Sequence, residues 1–265
     1  MLRFDSVGRS EVGLVRGNNE DSGFAGPSLL LVADGVGGAA AGEVASATAA
    51  YVTSALAMAD PEADVLDLLE RAARLVHDQL RVGTDQDPSR AGMGTTWTAL
   101  LTDGHRVALG HVGDSRAYRL RDGELVQVTH DHTFVQTLVD QGLLSRAEAR
   151  RHPRKNVVLQ AFDGAHPVRP DVLHVDVRVG DRLLLCSDGL TDLVEDSAIR
   201  ACLEPAGPAE AVDRLVAAAL AAGGVDNVTC VVCDVVDAPR LVPDGLRLGA
   251  LGDPALVVDP AAVHA

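Results

Sequence analysis

Between Gly94 and Thr129 the chain reads "GTTWTALLTDGHRVALGHVGDSRAYRLRDGELVQVT", and this stretch constrains the fold more than any other. Alternating runs are separated by Asp103-Gly104 and Asp122-Gly123, dipeptides that readily adopt the positive φ of tight hairpin turns. Short hairpins join antiparallel neighbours, whereas parallel strands need a crossover of a dozen or more residues. The spacing predicts an antiparallel meander and argues against a doubly wound parallel sheet.

Strand signals flank this meander at Arg3–Val7, Ser22–Ala25 and Ser28–Ala33, and again at "VLHVDV", "DRLLLCSD" and "NVTCVVCDVV". Helical patterns run through the alanine-rich Ala39–Ala59, from Pro61 through "PEADVLDLLERAARLVHDQLRV", and from Pro208 to Ala222. The segment "FVQTLVDQGLLSRAEARRHP" reads as two short helices inserted between strands. Strands, helices, strands, a helical insert, then strands and helices make an α+β chain. From Ala238 the sequence is richer in Pro and Gly and reads as an appended tail, open to three readings: a disordered extension, a docking segment or extra packing.

Aromatic residues are only 3% of the chain, so the core must be built from Val, Leu and Ala. The formal charge of −15 opposes nucleic acid and anionic lipid, and neither is expected as a partner. Cys230 and Cys233 in "CVVC" have redox spacing, but residues three apart on a strand face opposite sides, so reduced thiols are expected. "MLRFDSVGRSEVG" lacks the basic-then-apolar pattern of a signal peptide, and Ala39–Ala59 is too polar and small in side chain to span a membrane. A cytoplasmic location is the expectation.

"VADGVGGAAAGEVAS", Val32 to Ser46, offers two chemistries. Gly35-x-Gly37-x-x-Ala40 between a strand and a helix has the local form of a dinucleotide fingerprint. That fingerprint requires a parallel strand after one crossover helix, whereas here a second helix and hairpins follow. Asp34 would also set a carboxylate where a pyrophosphate should lie. The other chemistry is a carboxylate centre, and acids do recur beside strand ends: Glu20 and Asp21 in "RGNNEDS", Asp114 in "HVGDSR", Asp188 in "LLLCSDGL" and Asp226 in "GGVDNVTCVV". Singly, each is an ordinary helix cap or turn former. Asp34 and Asp188, however, share the form apolar strand, Asp-Gly, helix, so that each strand delivers a carboxylate into a turn. Carboxylates brought together cannot all stay ionised without cations, and oxygen-only ligation points to Mg²⁺ or Mn²⁺.

With "RGNNEDS", "DGVGGAAAGEVAS", "GTT", "VGDSRAY", "THDHT", "SDGLTD" and "DNVT" in this order, the sequence resembles the metal-dependent protein serine/threonine phosphatases of type 2C, in their compact bacterial form. The resemblance runs from about Phe4 to Val236. It implies a four-layer α-β-β-α sandwich of two mostly antiparallel sheets. Residues 1–237 would be the catalytic domain, with a flap-like insert at 133–170, and 238–265 the tail.

The resemblance further implies that Asp34 bridges two metal ions and that the Gly35 carbonyl binds one of them. Asp188 and Asp226 would hold the first ion and Asp21 the second, while Asp114 with Asp188 would help bind a third. Arg16 would grip the substrate phosphate, with Glu20 and Asn227 supporting the ligands. The implied reaction is hydrolysis of phosphoserine and phosphothreonine by a water bridging the two ions, with no covalent enzyme intermediate. A planar guanidinium suits Arg16 to the charge on the phosphoryl oxygens.

The implied partners are phosphorylated proteins, including a serine/threonine kinase, and the chain is expected to be a monomer. The alternative is a catalytically weak phosphoprotein-binding regulator on the same fold. Where many eukaryotic members have histidine after the first Asp-Gly, this chain has Val36, so the leaving-group acid is open. His130 and His132 offer themselves, or simply fix backbone geometry.

Overall fold

Three strands buried on both faces set the layering. The structure, a computed structural model, describes residues 1–36, 41–204, 207–239 and 244–264. The second half of the glycine turn, Gly37–Ala40, lies outside them. Strands β1 (Leu2–Glu11), β2 (Asp21–Ala25) and β3 (Leu29–Val36) lead into helices α1 (Gly42–Ala59) and α2 (Val65–Gln86). Next come β4 (Gly94–Thr95), β5 (Trp97–Thr102), β6 (Val107–Val112), β7 (Arg116–Arg121) and β8 (Glu124–Gln127). The insert carries α3 (Phe134–Asp140) and α4 (Arg146–Ala149), followed by β9 (Asp171–Val175) and β10 (Arg182–Cys186). Helices α5 (Asp188–Thr191), α6 (Asp196–Leu203) and α7 (Pro208–Ala221) precede β11 (Val228–Asp237) and β12 (Leu246–Gly249).

In β3, Leu30 and Val32 enter one apolar cluster while Leu29, Leu31 and Ala33 enter another. Strand β10 divides likewise, Leu183 and Leu185 against Leu184 and Cys186. So does β11, with Val231, Cys233 and Val235 opposite Cys230 and Val232. This is the period of two of extended chain with both faces covered. The shared cluster lies between two sheets, ordered β1-β11-β10-β7-β8 and β12-β2-β3-β5-β6-β9, with β4 pairing to β3. One outer cluster joins the second sheet to α1 and α2, and the other joins the first sheet to α6 and α7. The architecture is the expected α-β-β-α sandwich. Cys230 and Cys233 do face opposite sides, and all four cysteines are free.

Two expectations need correction. The meander is split: β5 and β6 form a hairpin in one sheet, and β7 and β8 form a hairpin in the other. Alternation reports which side of a strand is buried but not which sheet the strand joins. The chain crosses between the sheets at Gly113, whose φ of 107° suits glycine, and this crossing carries Asp114 to the end of the sandwich. Second, Asp34 does not enter a turn. Strand β3 runs on to Val36, because β2 and then β4 continue to pair with it. Asp188 instead opens helix α5, so the two Asp-Gly pairs are built differently.

The tail packs on the domain. Strand β12 extends the second sheet beside β2, Leu251 joins the core against α1, and the Val258 N–H donates to Thr48 Oγ1 at 3.2 Å. Of the three open readings, extra packing describes residues 244–264.

Candidate active site

Five segments bring acids to one end of the sandwich. Asp21, the first residue of β2, is fully buried and pairs in register with Asp34 on β3. Asp114 follows the sheet crossing and is buried. Asp188 starts α5, and Asp226 precedes β11; both are half-buried. Burial first, then the charges of Asp21, Asp188, Asp114 and Asp226, push the Asp34 carboxyl well above its ordinary range. Burial, then Asp114, Asp192, Asp226 and Asp21, do the same to Asp188. Asp21 is raised to about 6, chiefly by burial and against the hydrogen bonds it receives. Asp114 is raised to about 7 by burial and then by Asp131. The sequence-predicted acids thus share one electrostatic field.

Glycines allow this convergence. A β-carbon on Gly189 would stand 1.9 Å from the Asn227 carbonyl oxygen, and one on Gly35 2.4 Å from that of Gly42 and 2.6 Å from that of Glu20. Each glycine after an acid therefore serves close approach of two backbone segments, Asp188 to Asp226 in one case and Asp34 to α1 in the other.

Arg16 reaches the cluster, and its guanidinium pairs with Asp226 Oδ2 at 2.7 Å. Its loop is stapled by Asn227, whose Nδ2 donates to the carbonyls of Val12 (2.9 Å) and Asn18 (2.8 Å) while its Oδ1 accepts from the Glu20 N–H (2.9 Å). Glu20 Oε2 lies against Gly42 at the start of α1, where a carboxylate favours the helix dipole. The Gly35 N–H donates to the Glu20 carbonyl at 3.1 Å. Glu20 and Asn227 are thereby bonded to each other and to the loop that carries Arg16.

Other residues around the site stand in the motifs "GTT" and "SDGLTD" but were given no site role of their own from the sequence. Ser187 Oγ donates to Asp21 Oδ2 at 2.8 Å and accepts from the Thr229 N–H at 3.0 Å. Thr96 Oγ1 accepts from the Asp34 N–H at 2.9 Å and bonds Ser115 Oγ at 2.7 Å, tying Asp34 to the residue after Asp114. Asp192, four residues beyond Asp188 and so on the same helical face, pairs with Lys155 of the insert at 2.6 Å. The i,i+4 spacing of "DGLTD" was the available signal for Asp192. For the hydroxyls nothing distinguished Thr96 or Ser187 from core polar residues.

His132 fixes backbone. Its Nδ1 accepts from the Gly113 N–H at 3.2 Å, and its Nε2 faces Asp171 Oδ2 at 3.3 Å. His130 lies on Asp140 at 2.9 Å.

The acidic field fits cations. Asp21 Oδ1 is buried with no hydrogen-bond partner, a costly state for a carboxylate oxygen unless a positive group meets it. Among the described residues no three acids, histidines or cysteines stand at metal-ligand spacing. A cavity of about 100 Å³ adjoins the acids, lined by Asp114, Asp188 and Asp192 together with Arg146, Arg150 and Lys155 of the insert.

The sequence profile described as "Protein phosphatase 2C" matches residues 18–222. The chain belongs to the protein phosphatase 2C family. Among its family relatives, the serine/threonine protein phosphatase PstP of Mycobacterium tuberculosis is 49% identical over 237 residues, 89% of this chain and 46% of that protein. The chain thus spans about half the length of that relative. The serine/threonine phosphatase stp of Listeria monocytogenes is 34% identical over 234 residues, covering 83% of this chain and 92% of that protein. The crystal structure of the PstP catalytic domain in complex with two manganese ions superposes with a TM-score of 0.84 at 47% identity, over 89% of this chain and all of that one. As in other family members of known structure, two antiparallel sheets lie between helices. Among the described residues no helix is long and apolar enough to cross a membrane.

Proposed function

We propose that this chain is a Mg²⁺- or Mn²⁺-dependent phosphatase that hydrolyses phosphoserine and phosphothreonine in proteins. The observation that carries the reading is the convergence of Asp21, Asp34, Asp114, Asp188 and Asp226 in one field, with a buried Asp21 oxygen left unbonded. Asp34, the Gly35 carbonyl, Asp188, Asp226 and Asp21 would hold two divalent ions, and Asp114 with Asp188 would take part in a third. When bound, such ions supply Lewis-acid chemistry, acidifying water for in-line attack on phosphorus and neutralising charge on the phosphoryl oxygens.

The chain's own residues do the rest. Arg16 exchanges its bond to Asp226 for the substrate phosphate, which its guanidinium can grip through two parallel hydrogen bonds. Asn227 holds the loop that aims it, Ser187 fixes one Asp21 oxygen, and Thr96 fixes the backbone at Asp34. Arg146, Arg150 and Lys155 of the insert, which line the adjoining cavity, would meet the phosphoprotein segment, Arg150 and Lys155 from their ion pairs with Glu195 and Asp192. The substrates would be cytoplasmic phosphoproteins, a serine/threonine kinase among them, met by the chain as a monomer.

The test is hydrolysis of a phosphothreonine peptide with Mn²⁺, with chelator, and by Asp188→Ala. Turnover with Mn²⁺ that is lost with chelator and in the variant is expected. Metal-independent turnover or a fully active variant would sink the mechanism, and no turnover with any divalent ion would favour the regulatory binding protein.

A further inference from the structure

Strand β12 touches the site through Asp21. Leu248 is buried in a slot left by two glycines on different sheets, Gly8 of β1 and Gly23 of β2: a β-carbon on Gly8 would stand 2.3 Å from Leu248 Cδ1, and one on Gly23 3.2 Å from the same atom. Leu248 lies opposite Gly23 in the register, and Gly249 lies opposite Ser22, beside Asp21. Gly249 has φ 60° and ψ −140°, a conformation that L side chains rarely adopt. A β-carbon there would meet the Asp21 carbonyl oxygen at 2.1 Å and Ser10 Oγ at 3.0 Å.

Ser10 Oγ belongs to the polar set beneath Asp21. It bonds Thr229 Oγ1 at 2.7 Å and accepts from Asn19 Nδ2 at 2.8 Å, while Asn19 Oδ1 accepts from the Asp21 N–H at 3.1 Å. The backbone of β12 thus closes this set from the sheet edge. Without it, β2 would become an edge strand with the Asp21 end uncovered.

We infer that Leu248 and Gly249 are positioning residues for Asp21, setting the affinity of the site for its divalent ion from a segment outside the 18–222 profile match. Leu248 locks β12 to β1 and β2 by filling the Gly8–Gly23 slot. Gly249 then presses its backbone against the first residue of β2, so the Asp21 carboxylate starts from a fixed point. This rests on the reading of Asp21 as a ligand given above.

Val258 supplies the control. It belongs to the same segment but packs on α2, where a β-carbon on Gly83 would stand 2.7 Å from its Cγ2. Losing tail packing there should cost stability without moving Asp21.

The experiment is Mn²⁺ binding by titration calorimetry on the full chain and its Leu248→Ala, Gly249→Ala, Val258→Ala and Asp21→Asn variants, each checked for folding by thermal unfolding. Leu248→Ala and Gly249→Ala should bind Mn²⁺ about tenfold more weakly, the scale of losing an outer-shell support. Val258→Ala should lower the unfolding temperature and leave Mn²⁺ affinity unchanged. Unchanged affinity in a folded Leu248→Ala or Gly249→Ala chain, while Asp21→Asn binds weakly, overturns the positioning role alone. Equal weakening in Val258→Ala also overturns it, since the effect would then be general destabilisation. Should Leu248→Ala not fold, Gly249→Ala decides, because it keeps the apolar contact. Unchanged affinity in Asp21→Asn overturns the ligand reading itself.

Discussion

Asp21 and Asp34 stand directly opposite each other on neighbouring antiparallel strands, one fully buried and the other half-buried. Like charges placed so destabilise a sheet. The arrangement therefore costs the metal-free fold stability, and a dication bound there would offset that cost. Their shared position defines what the site requires.

Stability without metal should fall as pH rises. A carboxyl whose folded pKa lies above its unfolded value binds its proton more tightly in the folded state, so protonation favours folding. Asp21 is raised from 3.8 to about 6 and Asp114 from 3.8 to about 7. Their contribution is present below about pH 4 and is lost as pH climbs through those raised values. Thermal unfolding of chelated and Mn²⁺-saturated protein should show a gap that widens from pH 5 to pH 7.5. A gap that stays constant or narrows would contradict the shifts.

Asp188→Asn should abolish turnover and yet stabilise the chelated protein, by about 1–2 kcal/mol, the usual scale for relieving a strained functional site. The variant removes one charge from the field of Asp114, Asp192, Asp226 and Asp21. Calorimetric melting in chelator checks this, and a lower melting temperature than the unaltered chain would argue that Asp188 is stabilised by something other than a cation.

Arg16→Ala should lower kcat/KM for a phosphothreonine peptide about 10–100-fold, the scale of a lost hydrogen bond to a charged group. Manganese affinity should be kept or slightly improved, because Asp226 loses the guanidinium that pairs with it at 2.7 Å. Parallel peptide kinetics and Mn²⁺ titration separate the two effects. Weaker Mn²⁺ binding would contradict the assigned role.

Gly189→Ala should impair metal binding although it adds a single methyl group. That carbon would lie 1.9 Å from the Asn227 carbonyl oxygen, so α5 and the start of β11 must separate and Asp188 must leave Asp226. Mn²⁺ binding at least tenfold weaker is expected, of the order of effects on ligand support. An unchanged binding isotherm would show that the two segments yield without moving their acids.

The order of strands and helices was legible in alternation and turn signals, while the four layers followed from the family resemblance, and the fold bears them out in β3, β10 and β11, whose apolar residues divide between two clusters. The acids were legible because they recur near strand ends, Asp34, Asp114 and Asp188 beside glycine and Asp226 beside asparagine. The split meander was not, since hairpin chemistry at Asp103-Gly104 and Asp122-Gly123 is identical whichever sheet receives each hairpin. Nor were Thr96 and Ser187, whose roles depend on partners 62 and 166 residues away.

By itself, the amino-acid order determined local quantities: which segments alternate, where hairpin turns fall, and which carboxylates lie near strand ends. These depend on neighbours within a few residues, where covalent geometry and side-chain period suffice. Only the tertiary structure decided that Asp34 remains within a strand facing Asp21, that Arg16 rests on Asp226, and that the tail closes the sheet against Asp21. Those are contacts between distant segments, selected by which buried surfaces fit together.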